Sequence, residues 1–190
     1  IDAGGDYWSW DGSALSWRID EHWRVGAGRI ARHWGPGWDG SLILGSAARP
    51  FLNASVEAAS GTLPPSSFWW WLGEVNFSAF FGELEDERAD YSRPYLMGTR
   101  LVVRPWRSLE LGLSRTAMWG GEGRDNSLEM FWTSVIGRDN QEGDPSLQPG
   151  NGLGGFDARW DVSQWLPGIA LYGQMIGEDE AANLPSKYMY

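Results

Sequence analysis

Residues 32–39 bring Arg32, His33, Trp34, Trp38 and Asp39 into one short stretch. An indole offers an apolar face to the C–H side of a sugar ring, while guanidinium, imidazole and carboxylate groups take hydroxyls. Further along, Trp119, Arg124, Asp125, Asn126, Trp132, Arg138, Asp139 and Asn140 repeat the same side-chain types over a longer span. Taken singly, each of these is better read as loop packing. As two sets they read as a glycan-binding surface. A second chemistry needs paired carboxylates. Glu74, Glu110 and Asp157 are candidates for the acid and base of a glycoside hydrolase, which need two carboxyl groups about 5–10 Å apart with one held protonated. Their sequence neighbours include arginines, and a nearby cation favours the ionised form, so structural ion pairs are the stronger reading. Glu178, Asp179 and Glu180 are consecutive and point to opposite faces of an extended chain.

Other chemistries are poorly supported. There is no cysteine, hence no thiolate ligand or thiol nucleophile. His22 and His33 lie in no ligand-like spacing. Asp39, Asp125, Asp139 and Asp144 sit in Gly- or Asn-rich stretches without the spacing of an EF-hand. Gly120–Arg124 lacks the Lys-Ser/Thr of a phosphate loop. No metal and no cofactor is expected. Fifteen Lys+Arg against 25 Asp+Glu give a net charge of −10, the wrong balance for a nucleic-acid partner.

The elements that must hold these residues are strands. Apolar and polar residues alternate over 13–19, 23–32, 51–58, 68–84, 95–104, 109–118, 153–162 and 169–178, so an all-β, antiparallel up-and-down architecture is expected across 1–190. In 153–162, for example, Phe156, Ala158, Trp160 and Val162 oppose Asp157, Arg159 and Asp161. The alternation in 23–32 slips at Arg29. Short connections at 20–22, 59–67, 105–108 and 163–168 alternate with 33–50, 85–94 and 119–152. Turns at one end and loops at the other is the pattern of a membrane barrel. One helix is expected inside the last loop, where Leu128, Phe131, Trp132, Val135 and Ile136 follow helical spacing.

Arg18, Arg24, Glu74, Arg100, Arg104, Glu110, Asp157, Arg159 and Asp161 all fall on the polar parity, where both signs could pair across strands. A soluble sandwich would turn that face to water; a barrel would turn it to the interior. Tryptophan favours the barrel. Of the 14 present, Trp17, Trp23, Trp69, Trp70, Trp71, Trp106 and Trp165 cluster beside the short turns, while Trp34, Trp38, Trp119 and Trp132 lie at the long loops. Two aromatic girdles are expected of a barrel in a bilayer.

The stretch from Gly28 through Arg32-His33-Trp34-Gly35-Pro36-Gly37-Trp38 to Leu44, with Ala48-Arg49-Pro50, resembles the Wzi-type capsule assembly proteins of Gram-negative outer membranes. So do Gly98–Leu101 with Arg104-Pro105, Leu109–Thr116, Gly155–Trp160, and Leu171–Gln174 leading to Gly177–Glu180. Gly45–Ala48 departs from the family pattern, which has an asparagine there. The resemblance implies a porin-sized transmembrane barrel in outer-membrane lipid that binds capsular polysaccharide as a lectin, without enzymatic activity. Such a barrel needs roughly 16–18 strands. The chain is therefore expected to be a piece of a longer protein, with Tyr188-Met189-Tyr190 opening another strand; a closed eight-stranded barrel is the alternative. A general diffusion porin and a polysaccharide hydrolase are the competing functions.

Overall fold

A computed structural model of the protein describes residues 10–38, 40–45, 49–62, 66–84, 92–123, 125–136 and 150–178. Alternating side chains produce eight strands: β1 (Ala14–Arg18), β2 (Trp23–Arg29), β3 (Leu52–Thr62), β4 (Glu74–Glu83), β5 (Tyr95–Trp106), β6 (Leu109–Trp119), β7 (Gly150–Asp161) and β8 (Ala170–Glu178). They form one antiparallel sheet in sequence order, each strand bonded to the next. Among the described residues β1 and β8 do not pair, so the sheet is open. β4 to β7 are 10 to 12 residues long, which suits the roughly 9–11 residues that a tilted strand needs to cross a bilayer.

The register keeps the two parities apart. Arg18, Arg24, Glu57, Ser78, Arg100 and Ser114 form one row across β1–β6. One residue along, Trp17, Val25, Val56, Ala79, Thr99 and Arg115 form the neighbouring row on the opposite face. Large apolar side chains of that second face, including Leu15, Leu52, Leu111, Leu113, Phe156 and Leu171, are exposed. A water-soluble sandwich would bury them under a second sheet. Here the described strands make a single layer, the arrangement of a barrel wall.

Several boundaries differ from the sequence reading, each for a local reason. β2 stops at Arg29 because the chain then leaves the sheet and turns inward. The expected strand 68–84 begins only at Glu74; Trp70–Leu72 forms one 3₁₀ turn, which places all three adjacent tryptophans at the strand end, half exposed. β3 runs on to Thr62 with a register shift beyond Ala59, and β5 runs on to Trp106 with another beyond Val103. Both irregularities lie at the turn end, where a bulge re-aims the wall. Helix α1 (Leu128–Ile136) forms where expected. Ser127 caps it: its Oγ accepts the Met130 N–H at 3.2 Å, and Asp125 in turn accepts the Ser127 N–H at 2.8 Å. Residues 85–91 and 179–190, including the expected strand at 188–190, lie outside the described residues.

The turn-end girdle is present. Trp17, Trp23, Trp69, Trp70, Trp71, Trp106, Trp160 and Trp165 are all exposed there. At the loop end the expected second girdle is not built from Trp34 and Trp119, because both are covered. Trp34 is drawn to the polar face of the sheet, and Trp119 lies beneath α1.

Candidate functional site: a loop folded onto the interior face

The connection between β2 and β3 crosses the polar face instead of standing outside it. Trp34 packs on Phe80 with ring centroids 5.3 Å apart, and Phe80 meets Phe51 at 5.8 Å. Phe80 belongs to the polar parity, so this small aromatic cluster sits inside. Gly98, its partner on β5, makes room for it. A Cβ at Gly98 would lie 2.7 Å from Phe80 Cζ and 2.8 Å from Trp34 Cη2. Arg32 donates to Asn53 Oδ1 at 2.7 Å and holds its guanidinium 4.9 Å from the Phe80 ring centroid.

On the far side the same loop is held by β8. Gln174 Oε1 accepts the Leu42 N–H at 2.9 Å, and its Nε2 donates to the Trp34 carbonyl at 3.3 Å and Ser41 Oγ at 3.5 Å. Ser41 Oγ also donates to the Trp34 carbonyl. Trp34 and Leu44 form an isolated bridge that closes the loop on itself. Gly35, Pro36 and Gly37 extend to the turn end, where they line a polar cleft of about 460 Å³ with Arg104, Arg107, Glu110 and Arg159. One loop thus contacts β3, β4, β5 and β8, and the sheet curls around it.

The interior charges pair largely across strands. Arg100 makes a bidentate pair with Asp157, Nη1 to Oδ2 at 2.6 Å and Nη2 to Oδ1 at 2.9 Å, and also donates to Ser114 Oγ at 2.6 Å. Arg104 bridges Glu110 at 2.7 Å and Glu74 at 3.3 Å. Arg24 faces Glu57 at 3.8 Å. Among the described residues no salt bridge is formed by Arg18, Arg159 or Asp161; Asp161 accepts the Ser163 N–H at 2.8 Å. Among the described residues, no group of three or more His, Asp or Glu side chains could hold a metal ion.

These geometries find their match among known proteins. The family model for the capsule assembly protein Wzi matches residues 18–189. The chain belongs to the Wzi capsule assembly family. An uncharacterized 55.8 kDa protein in the cps region of Klebsiella pneumoniae is 38% identical over 166 residues, which cover 86% of this chain and 32% of that relative. Among solved structures, Wzi of Escherichia coli, described as an outer membrane protein involved in group 1 capsule assembly and a carbohydrate-binding β-barrel, is 32% identical. It superposes with a TM-score of 0.75 over 93% of this chain and 36% of its own. The chain spans about a third of the length of these relatives. Its sheet is a stretch of Wzi-type outer-membrane barrel wall.

Within that Wzi-type wall the expected glycan residues do not form one surface. Trp34 is 6% exposed and Arg32 is half-buried, so both anchor the loop rather than offer a platform. His33 is exposed and donates from Nε2 to the Gly37 carbonyl at 2.9 Å, while Trp38 is 89% exposed. Trp119 is 7% exposed, packed against Tyr95 at 4.8 Å and edge-on to Phe131 at 5.4 Å on the opposite, apolar face. Trp132 belongs to α1 on that same outer side. Asp125 and Asn126 serve the local turn, Asn126 Oδ1 accepting the Gly121 N–H at 3.1 Å. Asp39, Arg124, Arg138, Asp139 and Asn140 lie outside the described residues.

Gln174, Asn53 and Phe80 were not singled out by the sequence reading, although they do most to seat the loop. A weak signal existed: Phe80 follows Glu74, Asn76 and Ser78 on the polar parity of β4, and glycines at 98 and 112 lie on the same face. Each marks a place where something must approach the sheet closely.

Proposed function

We propose that this chain is part of an outer-membrane barrel that binds capsular polysaccharide through the loop between β2 and β3 and helps to assemble or retain the capsule. Its apolar face meets outer-membrane lipid, and its short turns face the periplasm. The observation that carries the reading is the loop 30–51. Its described residues lay the protein's own side chains across the polar face of the sheet, whereas a general diffusion porin requires an open aqueous path. The carbohydrate binding described for Wzi of Escherichia coli supports a glycan as ligand.

Within this reading Trp38, next to Gly37 toward the turn end of the interior face, is the stacking platform and His33 a polar neighbour, with Asp39 adjacent in sequence, so the glycan is met from the interior side of the wall. Trp34 and Arg32 act behind them by fixing the loop. Catalysis is not favoured. Glu74 and Glu110 share Arg104, and Asp157 is clamped by Arg100. Each of these carboxylates is committed to a structural ion pair.

The test uses the full-length protein with Trp38→Ala. Binding of purified capsular polysaccharide and capsule retention on cells should both fall, while heat-modifiable migration, which reports a folded barrel, stays unchanged. Retention equal to wild type would refute the assignment of Trp38. Large steady single-channel conductance from the unaltered protein would instead establish a porin.

A further inference from the structure

The outer wall changes character along β6. Leu113 is 61% exposed, as a lipid-facing residue should be. Two outward positions further toward the loop end, Ala117 is 1% exposed. The residue between them is Arg115, a cation on the otherwise apolar outward face of β6. Beyond it Ala117, Met97 and Trp119 are buried on the outside of a single-layered sheet. What covers this stretch is α1, whose Phe131 ring stands edge-on to Trp119 at 5.4 Å. The hydrocarbon-exposed wall therefore gives way at Arg115 to a wall clad by a helix.

The helix has more apolar surface than the wall uses. Leu128 and Trp132, four apart and hence on one face, are 78% and 57% exposed. Beneath Phe131 runs an apolar cleft of about 490 Å³ lined by Ala54, Val56, Ala79, Phe81 and Met97. These are wall residues of the outward parity, so the cleft is continuous with the lipid-facing surface. A large tryptophan and leucine exposed to water here would be costly, while at the boundary of headgroups and acyl chains they are favourable. A cation at Arg115 suits the same depth, where its stem lies in hydrocarbon and its head meets polar groups.

We infer that α1 is an interfacial helix: it lies along the barrel's outer wall at the level of the outer-leaflet headgroups, inserts Leu128 and Trp132 into the lipid, and roofs a cleft filled by acyl chain. This assigns Trp132 to lipid rather than to glycan. The inference rests on the proposed membrane orientation of the apolar face.

The test is depth-dependent fluorescence quenching in the full-length protein reconstituted in phospholipid bilayers. Single-cysteine variants Trp132→Cys, Leu128→Cys, Phe156→Cys and Trp38→Cys each carry a polarity-sensitive dye, and heat-modifiable migration confirms folding. Labels at 132 and 128 should be quenched by lipids brominated near the headgroup, at a depth of about 5–10 Å. The label at 156 should be quenched by bromine deeper in the chain, and the label at 38 only by aqueous iodide. Iodide quenching at 132 and 128 equal to that at 38, with 156 still quenched by lipid, overturns the inference alone. Loss of lipid quenching at 156 as well overturns the membrane orientation beneath it. Protection of the 132 label by added capsular polysaccharide, with no lipid quenching, would return Trp132 to the glycan site.

Discussion

Arg100 on β5 reaches Asp157 on β7 across the intervening strand, and the residue it passes over is Gly112. A Cβ on Gly112 would lie 2.5 Å from Asp157 Oδ1 and 2.6 Å from Arg100 Nη2. The pair is nearly sealed, with side chains 8% and 2% exposed. A guanidinium matches a carboxylate bidentately, and Ser114 takes a further donor. The absence of a side chain on β6 is therefore what permits a two-strand span inside the barrel.

Removing one partner of this pair should be severe. Asp157→Ala leaves a buried, unmatched cation and should lower the unfolding free energy of the full-length barrel by about 3–5 kcal/mol. Arg100→Met combined with Asp157→Ala should recover part of that loss. Gly112→Ala should cost about 1–3 kcal/mol by overpacking against the pair. Denaturant titration of the heat-modifiable form reads all three. Additive losses in the double variant would show that the two side chains are not coupled.

The second interior arginine should behave differently. Arg104 touches two carboxylates, yet about half of its side chain is exposed. Water screens such a pair, so Arg104→Ala should cost less than about 1 kcal/mol. A loss as large as that of Asp157→Ala would mean that the turn end is far better sealed in the whole barrel than exposure in this chain indicates.

Seating of the loop depends on shape at Gly98. Gly98→Val should collide with Phe80 and Trp34 and push the loop off the sheet, and Trp34→Ala should empty the same place. Both variants should show greater single-channel conductance than wild type, and new protease cleavage between 30 and 51. Unchanged conductance in both would mean that the loop does not control the interior path.

The β1–β2 turn supplies a pH dependence. The Asp20 carboxylate accepts the backbone N–H groups of His22 at 2.7 Å and Trp23 at 2.8 Å, and these bonds hold its pKa below the ordinary carboxylate value. A pKa depressed by folding contributes stability that is present above the unfolded value and lost as pH falls through the folded one. Asp20→Ala should thus be less stable than wild type at neutral pH, and the two stability curves should converge in acid. Parallel curves down to acid pH would mean that the carboxylate charge plays no part.

Alternation with period two was enough to reveal the antiparallel strands and the order of turns and loops, tryptophan placement revealed the turn-end girdle, and helical spacing revealed α1. The reason is local: a strand's side chains point to opposite faces by covalent geometry, and a membrane wall sorts them by polarity at every step. The motif from Gly28 to Leu44 carried the family for the same reason, being contiguous. Where the loops go was not local. Trp34 and Trp38 are four residues apart and read alike in sequence, yet one is buried and the other stands free. That difference depends on Phe80, Gly98 and Gln174, which approach the loop only when the sheet curls. Trp119 and Trp132, grouped in sequence with the glycan candidates, ended on the opposite face, because β6 carries Trp119 outward and α1 packs over it. Faces are a property of each strand; which segments meet across the interior is decided by closure of the sheet, and only tertiary structure contains that.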